Sequence, residues 1–588
     1  MTTLILAPIG YLAMFSGFHT YDDEGYFLLT LHQYLTGHSL YTGLFTTYGP
    51  FYYEVLAALL GPNAGHDAGR TVTLVVWLVA SLIAGAGAYR LTTNLWLGVG
   101  AQLLTVHVLG VLVNEPMQPS GLIAILLVAT VAAAAAHSTW PRATATAIGG
   151  MVAAVCLIKI NAGVFVGLAA TFAFAACLTG RWRPLLPLSG AVLALSPFAL
   201  MAGLFSEDWV RAYALVVAFS AVALTVVCVA WRPALMPSAS GGWFVAGGGL
   251  AVIVVIGVAM IGGTHLSDLL NDLLVVPLRQ PRLYTWPLHI GLGELAWAAV
   301  WLVLAGVAIR FKTHPWLKGA LPAAIRLGAG VFTWLMVFLL PSPAFMLALP
   351  LAWIAAMKPG LDAESPTDAY ARRFVPALAV MFSMEAYPVA GTSLPISALG
   401  LVPLGAMLVN DGIRQLSSQK SRSALRVAAL VGPVLLILNV AVLQLFAFLA
   451  ASEYGAYEPL GLRGAHAVRL PAQQAASLRG VTAAIGQRCE VFITEPGMDS
   501  FYIWSGMLPP APVIDGTWMY AYSDADQRSL VAQLQDQPNL CVVRSQAVID
   551  FWAEGRPIPR RPLVDYIDNS FVSATTFGDY ELLVRKPQ

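Results

Sequence analysis

Residues 71–89 read TVTLVVWLVASLIAGAGAY, a run without charged side chains that is long enough to cross a bilayer as one helix. Comparable runs recur up to about residue 450. We place them near 3–19, 71–89, 95–113, 120–136, 144–158, 160–178, 184–204, 210–230, 243–262, 291–309, 322–340, 342–357, 374–387, 394–409 and 426–450. Two neighbouring pairs, 144–158 with 160–178 and 322–340 with 342–357, could each be one broken hairpin. The sequence therefore predicts an α-helical polytopic membrane protein with about 13 to 15 transmembrane helices.

The composition of the chain agrees with this class. Of its 588 residues, 58% are apolar and 11% are charged, whereas a soluble chain carries about a quarter charged residues. A formal net charge of +1 gives no global field that would attract nucleic acid, so no nucleic-acid partner is expected. The first apolar run lacks a basic flank and an A-x-A cleavage site, which favours a retained span over a signal peptide.

Lys and Arg are distributed unevenly between alternate loops. One set of loops holds Arg90, Arg142, Arg181, Arg183, Arg232, Arg310, Lys312, Lys318, Lys358, Arg372, Arg373, Arg414, Lys420, Arg422 and Arg426. The opposite set holds Arg70, Arg211, Arg279 and Arg282. By the positive-inside rule the first set is cytoplasmic. The outer side of the membrane then contains residues 20–69, 114–119, 263–290 and the chain after about 450.

From Ala451 to Gln588 the composition changes to that of a soluble domain. Helical patterns alternate there with two strand-like runs, CEVFIT at 489–494 and LCVVR at 540–544. This order predicts a small α/β domain with a parallel strand pair and an antiparallel ending, and hence a division into 1–450 and 451–588. Cys489 and Cys541 lie at the starts of the two strands in a domain placed outside the cytoplasm, so we predict that they form a disulfide.

Three consecutive carboxylates, Asp22, Asp23 and Glu24, follow the first span directly. Charge alone would allow a solvated turn at the end of a helix. However, FLLTLHQYLTGHSLY at 27–41 has an amphipathic helical pattern, and LFTTYGPFYYE at 44–54 then returns the chain to the membrane. Such an elaborate outer loop favours a functional role for the carboxylates.

These features resemble, in their order, the first outer loop of GT-C type glycosyltransferases, which include protein O-mannosyltransferases and lipid A aminoarabinose transferases. The shared features are a short first span, an Asp-Glu pair, an interfacial helix ending in Gly-x-x-Leu-Tyr, and Tyr48-Gly49-Pro50 with aromatic neighbours. The VCLIKINAG stretch around Lys159 and the terminal outer domain also agree. The resemblance in organisation covers most of the chain, and its specific motif covers about 21–54.

The resemblance implies that an acceptor hydroxyl attacks the anomeric carbon of a sugar on polyprenyl phosphate while a carboxylate takes the proton. Asp23, aligned with the Asp-Glu pair, is the expected base and Asp22 the alternate base. Glu24 would orient the acceptor or a neighbouring helix. A base that acts opposite the leaving phosphate would invert the anomeric centre. The acceptor could be a lipid, a glycan or a protein.

The leaving phosphate requires positive charge. Arg279 and Arg282 could grip it, although they could equally bind the headgroups of membrane lipids. Lys159 interrupts an apolar stretch, so it would either face the substrate or pair with a buried carboxylate. Tyr48, in the Tyr-Gly-Pro motif, is expected to line the same substrate site.

Two further carboxylates lie at predicted outer ends of spans. The resemblance implies that Glu115, in VNEPMQPS after the third span, could bind Mg²⁺ or Mn²⁺ together with Asp23, because some GT-C enzymes place a second acidic cluster there; it matches by position, without a DxD motif. Glu385, in SMEAYPVAGTS, could line the substrate site or hydrogen-bond a neighbouring helix. The aromatic run in 495–510 could hold a sugar, but we expect these rings to be buried in hydrophobic contacts.

Together with these observations, the resemblance implies a glycosyltransferase of a bacterial inner membrane that uses a polyprenyl-phosphate sugar at the outer face. The first alternative is a transporter or flippase whose intramembrane charges line a substrate path, and the chain shows no convincing internal repeat of the kind common in transporters. The second alternative is a non-catalytic protein of envelope assembly.

Overall fold

The fold is taken from a computed structural model, which describes residues 2–178, 180–231, 240–278, 285–314, 319–357, 366–418, 422–511, 518–553, 555, 557–558 and 560–587. Every predicted span coincides with a helical segment. The helices up to residue 456 are α1 (Thr2–Met14), α2 (Asp23–Leu35), α3 (Pro50–Leu59), α4 (His66–Thr92), α5 (Leu95–Val108), α6 (Ser120–Ala135), α7 (Pro141–Cys156), α8 (Ile160–Cys177), α9 (Leu185–Met201), α10 (Asp208–Ala230), α11 (Ser240–Ile261), α12 (Leu266–Leu270), α13 (Leu292–Arg310), α14 (Ala320–Phe338), α15 (Ala352–Ala356), α16 (Pro366–Phe382), α17 (Ser393–Ser397), α18 (Leu401–Ser418) and α19 (Arg422–Ala456).

Nine helices within the described residues are long and apolar enough to cross a membrane, and these contain α4, α5, α8, α9, α10, α11, α13, α14 and α18. Three further predicted spans correspond to shorter apolar helices at Thr2–Met14, Ser120–Ala135 and Pro343–Ala356. The last predicted span lies within the 35 residues of α19. Short 3-10 or π segments lie at Leu109–Val113, Gly180–Trp182, Ala202–Leu204, Asn271–Val275, Pro343–Leu351, Ser383–Ala386 and Ala398–Gly400. The predicted class, a multi-pass helical membrane protein, is confirmed.

The predicted outer helix corresponds to α2, which is enclosed by protein to a greater extent than an interfacial helix would be. Phe27, Leu28, Leu29 and Leu31 are each 1% exposed. The helix packs against α3, α4 and a short helix of the C-terminal region. Its apolar residues therefore contribute to the protein core, and this holds the start of α2 in a fixed position.

The C-terminal region contains the predicted α/β fold. Its helices are α20 (Ala472–Arg488), α21 (Ser500–Ser505), α22 (Trp518–Ala521), α23 (Asp524–Gln535), α24 (Gln546–Ala553) and α25 (Pro562–Ser570). Its strands are β1 (Glu458–Pro459), β2 (Arg469–Leu470), β3 (Val491–Glu495), β4 (Leu540–Arg544), β5 (Phe571–Phe577) and β6 (Tyr580–Arg585). The four-stranded sheet has the order β3-β4-β6-β5, with β3 and β4 parallel and the other pairs antiparallel.

The predicted disulfide between Cys489 and Cys541 is formed, with the two Cα atoms 5.7 Å apart. Parallel pairing brings the two cysteines together because Cys541 lies opposite Phe492 in the register of β3 and β4. The boundary at residue 450 falls inside α19, and the division into two domains stays a prediction.

Segments predicted to face the same side of the membrane contact one another. The backbone N–H of Ser500 donates to Asp22, and the Thr42 hydroxyl donates to Asp268 over 2.9 Å. The Asp67 carboxylate accepts hydrogen bonds from the backbone N–H groups of His466 and Ala467. Contacting loops must lie on one side of the bilayer, so these contacts agree with the grouping derived from Lys and Arg.

Candidate active site

Asp22 links the first outer loop to the C-terminal region. It caps α2 in a left-handed conformation, with φ of 60°, and accepts a hydrogen bond from the Gly25 N–H. It also accepts from the Ser500 N–H over 2.6 Å and from the Ser500 hydroxyl over 2.5 Å. His66 Nε2 lies 2.7 Å from the same hydroxyl. Burial raises the pKa of Asp22 to about 7, although the hydrogen bonds from Ser500 oppose the rise.

Glu24 forms a buried ion pair with Arg70 at the start of α4. Arg70 Nη2 lies 2.7 Å from Glu24 Oε2, and Arg70 Nε donates to Glu24 Oε1 over 2.9 Å. The remaining donor, Nη1, bonds the carbonyl oxygens of Met14 and Gly17. One guanidinium thus joins the end of α1, the first turn of α2 and α4.

Asp23 lies between these two buried carboxylates in the sequence but is itself half-buried. The Gln118 amide nitrogen lies 3.4 Å from Asp23 Oδ2 and donates to Glu115 Oε2 over 3.1 Å. The Tyr21 hydroxyl donates to the other oxygen of Glu115 over 3.1 Å. We call Tyr21, Asp23, Glu115 and Gln118 the carboxylate cluster. All four are half-buried, so a substrate could reach them.

The carboxylate cluster contains two of the oxygen ligands that a divalent metal would need. Mg²⁺ is commonly held by one or two carboxylates together with substrate phosphate, so Asp23 and Glu115 would suit it in number. The Gln118 amide nitrogen, however, occupies the position between them. Over the described part of the chain, no group of three or more His, Cys, Asp or Glu side chains could hold a metal ion.

Aromatic side chains border the carboxylate cluster. The Tyr21 ring stacks on Phe551 of α24, with centroids 5.0 Å apart and an interplanar angle of 12°. Trp552 meets Tyr21 edge-on at 6.2 Å, and Trp286 lies 5.8 Å from Phe551. We call these four rings the aromatic shelf. The C-terminal region therefore contributes directly to the surroundings of Asp23.

The Tyr48-Gly49-Pro50 motif packs against the break between α7 and α8. The Gly49 N–H donates to the Ile158 carbonyl over 2.8 Å, and the Phe51 N–H donates to the Leu157 carbonyl over 3.1 Å. A Cβ added at Gly49 would lie 1.9 Å from the Leu157 oxygen. The close approach of the motif to Leu157 therefore requires glycine at position 49. The same contacts explain the break between α7 and α8, because the carbonyl groups of residues 157 and 158 accept hydrogen bonds from the motif instead of from the helix.

Lys159 follows this break and pairs with Glu385, with 2.6 Å between Lys159 Nζ and Glu385 Oε1. Its ammonium also donates to the Ser393 hydroxyl over 3.3 Å. The Lys159 side chain is 29% exposed, whereas that of Glu385 is fully buried. The expected partner of an intramembrane lysine is thus present, and the exposed part of Lys159 could still meet a substrate.

A group of aromatic rings lies between the carboxylate cluster and the break between α7 and α8. Phe27 lies 5.4 Å from both Tyr48 and Tyr52. Burial, followed by the nearby Tyr53, Tyr48 and Asp23, raises the pKa of Tyr52. Tyr48 lies between these rings and the helix break, because it precedes Gly49, whose N–H bonds the Ile158 carbonyl.

Other candidate residues have different outcomes. Arg279 and Arg282 lie outside the described residues. The rings of 495–510 are buried as expected, since Tyr502 stacks on Phe492 at 4.3 Å and Trp504 stacks on His66 at 5.1 Å.

Sequence reasoning did not identify Tyr21, Gln118 or Phe551. Tyr21 and Gln118 lie within the two acidic stretches and could have been included with them. Phe551 gave no such signal, because its role depends on how α24 docks.

Comparison with known proteins gave matches among solved structures alone. No family model and no curated protein matches the chain. An oligosaccharyltransferase of Archaeoglobus fulgidus, tethered to an acceptor peptide with the NVT sequon, is 11% identical, with a TM-score of 0.43 over 97% of this chain and 72% of that one.

ArnT of Cupriavidus metallidurans bound to undecaprenyl phosphate is 11% identical, with a TM-score of 0.39 over 100% of this chain and 99% of that one. Its apo form is 12% identical, with a TM-score of 0.36 over 100% of this chain and 98% of that one. Both proteins belong to the class that the first outer loop resembles. All three TM-scores lie below 0.5, at sequence identities of 11–12%.

The substitution Gly49→Ala should destabilise the protein, since the new methyl group would overlap the Leu157 carbonyl. Overpacking of this kind costs about 1–3 kcal/mol or more. Gly61→Ala is the matched control, because nothing lies within 4 Å of a Cβ at that position. Thermal unfolding in detergent should show a lowered midpoint for Gly49→Ala alone. Equal midpoints for the two variants would contradict the packing of this motif against the helix break.

Proposed function

We propose that this chain is a membrane glycosyltransferase that moves a sugar from a polyprenyl-phosphate donor to an acceptor hydroxyl. The observation that carries the proposal is the contrast among the three consecutive carboxylates. Asp22 and Glu24 are buried and bonded to structural partners, whereas Asp23 is half-buried beside Glu115. A carboxylate that must exchange protons with a substrate needs this kind of access.

In the proposed reaction Asp23 is the general base. As the acceptor oxygen forms its bond to the anomeric carbon, its proton passes to an Asp23 carboxylate oxygen. The bond between the anomeric carbon and the phosphate oxygen breaks, and its electron pair remains with the polyprenyl phosphate. Attack from the face opposite the phosphate would invert the anomeric centre. Glu115, held by Tyr21 and Gln118, would orient the acceptor or the sugar through its carboxylate.

The phosphate would lie towards Lys159, with Tyr48 between it and Asp23. Lys159 keeps part of its side chain exposed although it pairs with Glu385, and a desolvated ammonium stabilises negative charge that develops on a leaving group. Arg279 and Arg282 remain proposed as further phosphate contacts. If Mg²⁺ or Mn²⁺ takes part, Asp23, Glu115 and a substrate phosphate would hold it, and the metal would supply positive charge.

We place the reaction at the outer face of a bacterial inner membrane. The distribution of Lys and Arg supports this orientation. The Cys489–Cys541 disulfide supports an oxidising compartment for the C-terminal region, which contacts the loop that bears Asp23. The partners would be the polyprenyl-phosphate donor, the membrane lipids and an acceptor.

A transporter or flippase is the second candidate, and the intramembrane pair of Lys159 and Glu385 is the observation that favours it. In that case the pair would line a path, and Asp23 would have no chemical role. The two candidates therefore differ in what they expect of Asp23.

Asp23→Asn should lose transfer by roughly 10²–10⁴-fold, because the amide cannot accept the acceptor proton. Binding of the donor should change little, since size and shape are kept. The assay uses radiolabelled undecaprenyl-phosphate hexoses and pentoses with a membrane extract as the source of acceptor. Asp536→Asn, an exposed aspartate in the C-terminal region, is the matched control and should behave as wild type.

Asp22→Asn and Glu24→Gln separate chemistry from structure. Asp22→Asn should lose less transfer than Asp23→Asn, and Glu24→Gln should lie between them, with both variants lowering the thermal midpoint through their buried contacts. If Asp22→Asn were the inactive variant, the base would be Asp22 and the class of enzyme would stand. Near-normal transfer by all three variants would remove this loop from catalysis, whereas absence of transfer by the wild-type protein with every donor would favour the transporter.

The double variant Lys159→Met with Glu385→Gln tests whether Lys159 serves the donor or only the fold. Lys159→Met alone leaves a buried carboxylate unpaired, which costs about 3–5 kcal/mol. The second substitution removes that charge, so the double variant should regain its thermal midpoint. Its KM for the donor should stay raised by about tenfold or more.

Glu385→Gln alone is the matched control, because it keeps Lys159, and its KM should stay close to that of the wild type. A double variant that regains both stability and KM would show that Lys159 serves only the fold.

A further inference from the structure

We propose that the aromatic shelf is a carbohydrate-binding subsite, and that the acceptor is therefore a glycan whose terminal sugar ring stacks there. The inference rests on the proposed function, which leaves the class of acceptor open. It adds a binding role for α24 and for Trp286.

The shelf and the carboxylate cluster form one continuous surface. Tyr21 belongs to both, because its ring stacks on Phe551 while its hydroxyl donates to Glu115. A ligand in contact with the shelf would therefore lie next to polar groups of the cluster. Apolar surface with a few fixed polar groups is the usual composition of a small-ligand site.

Trp286 gives the shelf an accessible ring on a fixed backbone. Its side chain is 38% exposed. The backbone N–H of Trp286 donates to the Pro388 carbonyl over 3.0 Å, and its backbone carbonyl accepts from the Ala390 N–H over 3.3 Å. The indole therefore extends from an anchored strand-like segment towards Phe551. An exposed ring held in this way loses little conformational freedom when a ligand stacks on it.

A sugar ring matches both parts of this surface. Its axial C–H bonds form an apolar face that packs on an aromatic ring, and its hydroxyl groups can donate to carboxylates and accept from an amide. Glu115 supplies the carboxylate and Gln118 supplies the amide. A ring resting on the shelf would present one hydroxyl towards Asp23, which is what the proposed reaction requires.

A protein acceptor fits the same surface less well. Extended peptides are commonly bound by adding a strand to an open sheet edge. Here the C-terminal element beside the cluster is the helix α24, which is not a sheet edge. The alternative for Trp286 is an ordinary interfacial tryptophan that anchors the protein in the bilayer, and the test below separates the two roles.

The test measures binding of fluorophore-labelled tetrasaccharides of glucose, mannose, galactose and N-acetylglucosamine to the full-length protein in nanodiscs. The Asp23→Asn background is used so that no transfer occurs during the measurement. We expect at least one glycan to bind. Trp286→Ala should raise the Kd for that glycan about tenfold. Phe551→Ala should act in the same direction, and Trp286→Phe should retain most of the affinity because a stacking face remains.

Trp140→Ala is the matched control, since Trp140 is also a surface tryptophan, 65% exposed, and lies beside Arg142 in a loop of the set predicted to be cytoplasmic. It should bind as the parent does. No binding of any of the four glycans by the parent protein, or equal binding by Trp286→Ala, would overturn the proposal and leave Trp286 as a membrane anchor.

Failure of the subsite and failure of the proposed function give different results. If Asp23→Asn retained full transfer while Trp286→Ala lost glycan binding, the subsite would stand and the assignment of the base would fall. If transfer depended on Asp23 while glycan binding ignored Trp286, the enzyme would stand and the acceptor would bind elsewhere.

Discussion

The buried ion pair between Glu24 and Arg70 is the contact on which the first outer loop depends. One guanidinium bonds the Glu24 carboxylate and the carbonyl oxygens at the end of α1, so three helices meet at a single charge. Removing either partner would leave the other as an uncompensated buried charge, which is costly. Successive side chains at the start of a helix point in different directions. Asp22 and Glu24 are fixed inwards by their contacts, whereas Asp23 stays half-buried.

The same contacts bring the C-terminal region to the candidate site. Ser500 donates twice to Asp22, and this brings the sheet and its helices against the loop. In this arrangement Phe551 of α24 stacks on Tyr21, and the Tyr21 hydroxyl donates to Glu115. A chain of short contacts therefore runs from the sheet to the proposed base. The membrane helices contribute Lys159 on the other side, through the loop that Gly49 allows to approach.

Much of this organisation could be predicted from the sequence because it follows from local patterns. Apolar runs of about 20 residues give the spans, and alternating helix and strand patterns give the sheet region with its disulfide. The proximity of Asp23 and Glu115 could be predicted because both stretches were placed at the outer face. Arg70, which the sequence grouped with basic residues facing outwards, is buried against Glu24 instead of facing solvent. Its role and those of Ser500 and Phe551 depend on contacts between distant segments, which a single sequence does not reveal.

In the proposed reaction the reacting carbon of the donor lies at Asp23 while the phosphate lies towards Lys159. A cryo-EM structure of the Asp23→Asn variant with a bound undecaprenyl-phosphate sugar would test it most directly. We expect the anomeric carbon within about 6 Å of the residue 23 side chain and a phosphate oxygen about 3 Å from Lys159 Nζ. A donor bound with its phosphate away from Lys159 and its sugar away from residue 23 would contradict the account.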